Sequence, residues 1–198
     1  EISCSLVGSE MCIRDRHIHI IDAELMGKGE KEKKDLYIEG VQNNGIINHY
    51  EYIINSEGTI EIRHVLKPEG KMPLWFPRIG LTLTVSDALD QVKWYGRGPQ
   101  ENYPDRKTGY PTGIYASTVQ AMYEPYLMPQ DYGLRTDVRW LQLTTDKGIG
   151  LQFKMNEWFN FNIYPYSTDN LTKAMYTYQL QKQKGMTCLL YTSPSPRD

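Results

Sequence analysis

The sequence predicts an all-β fold, an antiparallel β-sandwich. Three observations carry that expectation: apolar and polar residues alternate with period two, turn signals separate the alternating runs, and no segment keeps an i, i+3, i+4, i+7 apolar stripe for three helical turns. Aromatic residues make up 12% of the chain, with 15 Tyr and 4 Trp, which favours strands and is also common where sugars bind. At 198 residues the chain is long enough to bury roughly 70% of its unfolded surface.

The first segment, residues 1–16, has no early basic region or long apolar stretch of a signal peptide, and is expected to be a non-native or disordered leader outside the fold. The domain is expected to span 17–186. "HIHI" reads as an edge strand, with a zinc-chelating pair at His17 and His19 as the sharper alternative; neither cysteine nor a nearby acidic cluster supplies the further ligands. "GKGEKEKKD" is a solvated loop, and "DLYIEGVQNNGIINHYEY" is a strand with a turn at Asn43-Asn44-Gly45. Next comes a hairpin: Tyr50, Tyr52 and Ile54 alternate with Glu51 and Asn55, Ser-Glu-Gly makes the turn, and Ile60, Ile62 and His64 alternate with Glu61 and Arg63.

Beyond Pro77, Ile79, Leu81, Leu83 and Val85 line one face of a strand, and "SDALDQ" turns into Val92 and Trp94. Residues 96 to 136 read as one long irregular region. Leu141 and Leu143, the turn Asp146-Lys147-Gly148, then Ile149, Leu151 and Phe153 make a further hairpin, followed by Phe159, Phe161 and Ile163. "STDNLTKAMYTYQLQK" is the one short helix, with Ser167 or Thr168 as its N-cap. The tail, 187–198, ends in Ser/Pro repeats and is expected to be non-native or disordered. All three cysteines lie in the end segments, and a Cys12–Cys188 disulfide is discounted.

A formal net charge of −2 argues against a nucleic-acid partner, and no apolar run approaches the roughly 20 residues of a membrane span. Gly-x-Ser-x-Gly and phosphate-cradling glycine loops are absent, so nucleophilic and nucleotide chemistry lack support. In "WYGRGPQENYPDR", Glu101, Asp105 and Arg106 form a carboxylate pair with a cation, as a glycosidase or epimerase uses. Their i, i+4 spacing in a proline-broken loop does not enforce the separation that glycoside hydrolysis needs. The favoured reading is a self-satisfied rigid loop, its backbone set by Gly96, Gly98, Pro99 and Pro104. His49 and His64 read as strand residues rather than general bases. Trp75, Trp94, Trp140 and Trp158, with Tyr103, Tyr110, Tyr123, Tyr126 and Tyr132, fit either sugar-stacking platforms or core packing.

At "FPRIGLTLTV", "VKWYGRGPQENYPDR", "MYEPYLMPQDYGLRTDVRWLQL" and "FNFNIYPYSTDNL" the chain resembles the C-terminal, or small-chain, domain of bacterial β-galactosidases of glycoside hydrolase family 2. The resemblance covers about residues 18 to 183 and is strongest from Phe76 onward. It implies an antiparallel β-supersandwich of the galactose mutarotase-like kind, truncated at its C-terminal end. That truncation would leave an unpaired edge and an exposed apolar face, hence a poorly soluble or partly unfolded fragment.

The implied parent is a retaining enzyme of lactose catabolism that hydrolyses terminal non-reducing β-D-galactosyl residues. Its catalytic carboxylates and magnesium ligands lie on a preceding TIM barrel, and a monovalent cation is also implied. No catalytic residue, metal ligand or cofactor carries over to this chain, which alone is expected to be inactive. What carries over is a structural or domain-contact role for Gly98, Pro99, Gln100, Glu101, Asn102, Tyr103, Asp105 and Arg106, with Arg135 as an ion-pair partner. The expected partners are the barrel and sandwich domains, further copies of the full protein and, through the parent, a galactoside; location is cytoplasmic, with periplasm as the alternative. The rival is a free-standing sugar-binding module or aldose 1-epimerase, which needs a His and a Glu as acid and base.

Overall fold

The computed structural model describes residues 2–7, 19–20, 45–56, 58–69 and 78–192. Among these the strands are β1 (Ile2–Val7), β2 (His19–Ile20), β3 (Gly45–Ile54), β4 (Thr59–Glu69), β5 (Ile79–Val85), β6 (Gln91–Arg97), β7 (Thr112–Thr118), β8 (Arg135–Thr144), β9 (Gly150–Tyr164) and β10 (Met186–Thr192). Every pairing is antiparallel, and the fold is all-β as expected. Among the described residues one α-helix, α1, spans Thr168–Lys173, with Ser167 capping it by accepting from the Asn170 N–H, and a separate 3-10 turn follows at Thr177–Gln179. No described helix is long and apolar enough to cross a membrane.

The predicted hairpin forms, and its register places Tyr50 opposite His64, Tyr52 opposite Ile62 and Ile54 opposite Ile60. Asn55 closes its turn twice, through its N–H to the Thr59 carbonyl and through Oδ1, which accepts from the Thr59 N–H at 3.0 Å. Gly58 supplies the positive φ of 81° that the turn demands. The strand and turn read over 35–44 lie outside the described residues.

Main-path strand order is β2-β5-β10-β9-β1-β4-β3, with β6 joined to β7 and β8, and β8 joined to β9. β9 explains this arrangement. β8 pairs with it from Gly150 to Phe161 across a bulge, β1 pairs with Gly150–Met155 and β10 with its last five residues, so one strand serves both halves of the sheet. The inward faces of β5, β6, β8, β9 and β10 close on one core that holds Leu83, Trp94, Leu141, Phe153, Phe161 and Leu190. Trp94 and Phe161 meet edge-to-face at 5.9 Å, an arrangement the ring quadrupoles favour. A second cluster, around Tyr132, Tyr164, Leu171 and Tyr191, fills the space beneath the 120–134 segment and α1.

Three expectations need correction. Residues 187–192 are not outside the fold: in β10 they pair with β5 on one side and β9 on the other, because "MTCLLYT" is an apolar run that a central strand buries on both faces. Residues 2–7, assigned to the leader, pair as β1 with β4 and β9. The region 96–136 is not wholly irregular, since β7 pairs with β6 along its whole length. The sheet ends on β2, β3 and, off the main path, β7; at the β3–β4 hairpin Tyr52, Ile53, Ile54 and Val65 stand exposed. Cys188 is buried in the core, and Cys12 lies outside the described residues.

Gly96 of β6 lies close against Val138 of β8. A Cβ there would stand 2.9 Å from the Val138 Cα and 2.8 Å from its Cγ2. Gly96→Ala is therefore expected to cost about 1–3 kcal/mol of stability as overpacking. Gly109→Ala, with nothing within 4 Å, is expected to leave the urea midpoint unchanged; equal midpoint shifts for the two variants would contradict the close approach.

Candidate functional site

The loop that follows β6 starts on the core. Trp94 is fully buried and donates its indole N–H to the Arg97 carbonyl at 3.0 Å, which bends the chain out of the strand. Gly98 then passes so near Tyr115 and Trp94 that a Cβ would lie 2.8 Å from the Tyr115 ring. The Gly98–Pro99 peptide bond is cis. Tyr103, Pro104, Asp105 and Arg106 form a tight turn closed by the Arg106 N–H on the Tyr103 carbonyl at 2.8 Å.

Glu101 occupies the inside of this loop, only 6% exposed. Its Oε1 accepts from the Tyr126 hydroxyl and from Arg106 Nη2 at 3.3 Å, while Oε2 accepts from the Tyr103 hydroxyl at 3.0 Å and the Gly133 N–H at 2.9 Å. Both oxygens are thus doubly engaged. Burial, reinforced by the Glu101 charge, pushes the Tyr103 phenol far above its usual range, and burial likewise raises Tyr126. Each phenol stays protonated and remains a donor. Gly133, at φ 74°, turns its N–H inward in a conformation that a side chain resists.

Asn102, fully buried, ties the loop to β8. Its N–H donates to the Leu134 carbonyl at 2.8 Å, Nδ2 donates to the Gln100 carbonyl at 3.1 Å, and Oδ1 accepts from the Thr136 N–H and hydroxyl. Arg135 departs from its expected role. Among the described residues no carboxylate lies in ion-pair contact with it; its guanidinium sits 5.3 Å over the Trp94 ring and donates to the Gly133 carbonyl at 2.9 Å. Burial pulls it down to about 10, with Glu101 and Glu124 opposing that pull, so it stays charged at neutral pH. Arg106, from the exposed side, is the ion-pair partner of Glu101.

A second anchor was not read from the sequence. Asp137 lies in a bulge of β8 with φ 54°, and its carboxylate accepts from Arg97 Nε at 2.5 Å and Lys107 Nζ at 2.7 Å. Arg97 also donates to the carbonyls of Lys107 and Tyr110 at 3.2 and 3.0 Å. The available signal was an aspartate in the middle of a strand pattern, where Asp is depleted.

The remaining candidates scatter. Asp105 is exposed while Glu101 is buried, so the two do not make the facing carboxyl pair of a glycosidase. His49 and His64 stand on the β3–β4 hairpin, away from the loop; His64 stacks on Tyr50 at 4.2 Å, and burial draws its imidazole below the usual value. His17 and Trp75 lie outside the described residues. Among the described residues no group of three or more His, Cys, Asp or Glu is placed to hold a metal.

The described segment from β6 to β8 folds into a polar loop closed upon itself, on an all-β sandwich. Its sequence is matched by the family model of the beta galactosidase small chain over residues 14–193. The chain belongs to that small-chain family. The match runs past both expected domain limits, 17 and 186. A beta-galactosidase of Priestia megaterium is 38% identical over 136 residues, which are 69% of this chain and 13% of that protein. One from Vibrio cholerae is 39% identical over 104 residues, 52% of this chain and 10% of that protein. One from Lactobacillus delbrueckii subsp. bulgaricus is 40% identical over 105 residues, again 52% and 10%. The small-chain sequence thus spans roughly an eighth or less of these relatives.

Two outcomes follow for this small-chain loop. Glu101→Gln keeps the shape but sets an amide against inward-pointing donors; it is expected to lower stability by about 1–3 kcal/mol in urea, far more than Arg106→Gln on the exposed side. For Asp137, burial disfavours the charge, but the hydrogen bonds and charges of Lys107 and Arg97 outweigh it and hold the carboxyl below its usual 3.8. Its contribution is therefore full above that value and is lost as pH falls through the folded-state value. Asn tolerates the same positive φ, so Asp137→Asn should be less stable than the parent sequence at neutral pH. The gap should narrow as denaturation curves are repeated at pH values falling below 3.8.

Proposed function

We propose that this chain is the accessory sandwich of a retaining β-galactosidase and buttresses catalytic machinery carried elsewhere in the full protein. The parent would hydrolyse terminal β-D-galactosyl bonds, with its two catalytic carboxylates, magnesium and monovalent cation on the preceding barrel. The observation that carries this reading is the state of Glu101. A nucleophile or a general base needs a free lone pair facing substrate, and this buried carboxylate spends both oxygens on internal donors. A group so engaged holds a surface in shape. The length of the relatives supports the same reading, since they carry about nine-tenths of their sequence outside the matched part.

Hydrolysis of o-nitrophenyl β-D-galactoside by the purified chain tests the proposal. No turnover above the buffer rate is expected. Turnover that copurifies with the chain and disappears in Glu101→Gln would place the chemistry here and end the accessory reading.

A further inference from the structure

β8 and β9 fall out of step beside the loop. β8 advances only from Val138 to Trp140 while β9 passes from Phe159 back to Lys154, so the intervening β9 residues bulge. Met155 packs on the core, whereas Asn156, Glu157 and Trp158 stand in solvent. Trp158 is 59% exposed. Its ring is nevertheless held, since the Arg139 guanidinium lies 4.4 Å from its centroid and 4.7 Å from that of Tyr95. Tyr95 in turn lies 6.4 Å from Trp140, extending the array across the outer face of β6 and β8. Arg139 is itself fixed, donating to the Asp137 carbonyl at 3.2 Å. The platform is thereby tied to the same bulge that Arg97 and Lys107 secure.

We propose that this array is a carbohydrate-stacking subsite, with the open face of Trp158 taking the C–H-rich face of a galactose-type pyranose. Two features favour a sugar. A guanidinium against one face of the indole fixes the ring before any ligand arrives, so little ordering cost remains for binding. The exposed neighbours on the strand, Lys154, Asn156 and Glu157, are all polar, which suits a ring of hydroxyls. The choice of galactose rests on the proposed parent activity; the stacking itself does not.

The test is a titration of the chain with methyl β-D-galactopyranoside, read from the tryptophan indole N–H resonances. The Trp158 resonance is expected to shift saturably with a millimolar Kd while that of buried Trp94 stays in place. Trp158→Ala should weaken binding at least about tenfold with an unchanged melting curve, and Trp158→Phe should keep part of the affinity. Absence of saturation up to about 100 mM, or undiminished binding by a folded Trp158→Ala, would overturn the subsite. So would a Trp158 that ignores the sugar and becomes protected only when the rest of a β-galactosidase is added, since the array would then be a domain contact. None of these failures touches the accessory reading, which the turnover assay decides separately.

Discussion

A carboxylate taken out of water must have its charge and its lone pairs answered, and in this protein that requirement organises everything between β6 and β8. The donors that meet Glu101 come from three places: the loop itself, the segment around Tyr126, and the backbone at Gly133. None of these segments has regular structure of its own to hold it. Their positions are set because displacement of any one would leave a buried charge short of a donor, a penalty of several kcal/mol if the charge were wholly uncompensated. A single acidic side chain thus supplies order that strands provide elsewhere.

That order is joined to the core at two further points. Trp94 belongs to the apolar interior by its ring and to the loop by its N–H, and it offers its face to the buried Arg135. On the other side, Asp137 draws together Arg97 and Lys107, the residues on either side of the Glu101 turn. The polar loop and the apolar sandwich therefore share residues. A change in either is felt in the other, because close-packed interiors pass strain along rather than absorb it.

Much of this was legible in the sequence. The β3–β4 hairpin was legible as two alternating runs joined by a Ser-Glu-Gly turn, while its residue pairing came from the structure. The structural reading of Glu101 followed from turn chemistry, and the short helix from its serine cap. The misses have physical reasons. β10 was set aside with the Ser/Pro repeats that follow it, although its apolar run without alternation is what burial on both faces produces. β7 hid among glycine and tyrosine in "TGIYAST", where a single pairing partner decides the strand. Arg135 was expected to form an ion pair on the strength of the family resemblance; its guanidinium lies instead over an aromatic face, which no spacing rule announces.

The fifteen residues of β9 have a consequence of their own. One continuous stretch of backbone pairs with β1 along its first half, with β10 near its end and with β8 from Gly150 to Phe161, so neither part of the molecule owns a separate frame. Pulling on one side tugs the other through the peptide chain itself. Melting should accordingly run as a single event, and amide protons along β9 should be among the slowest in the molecule to trade for deuterium.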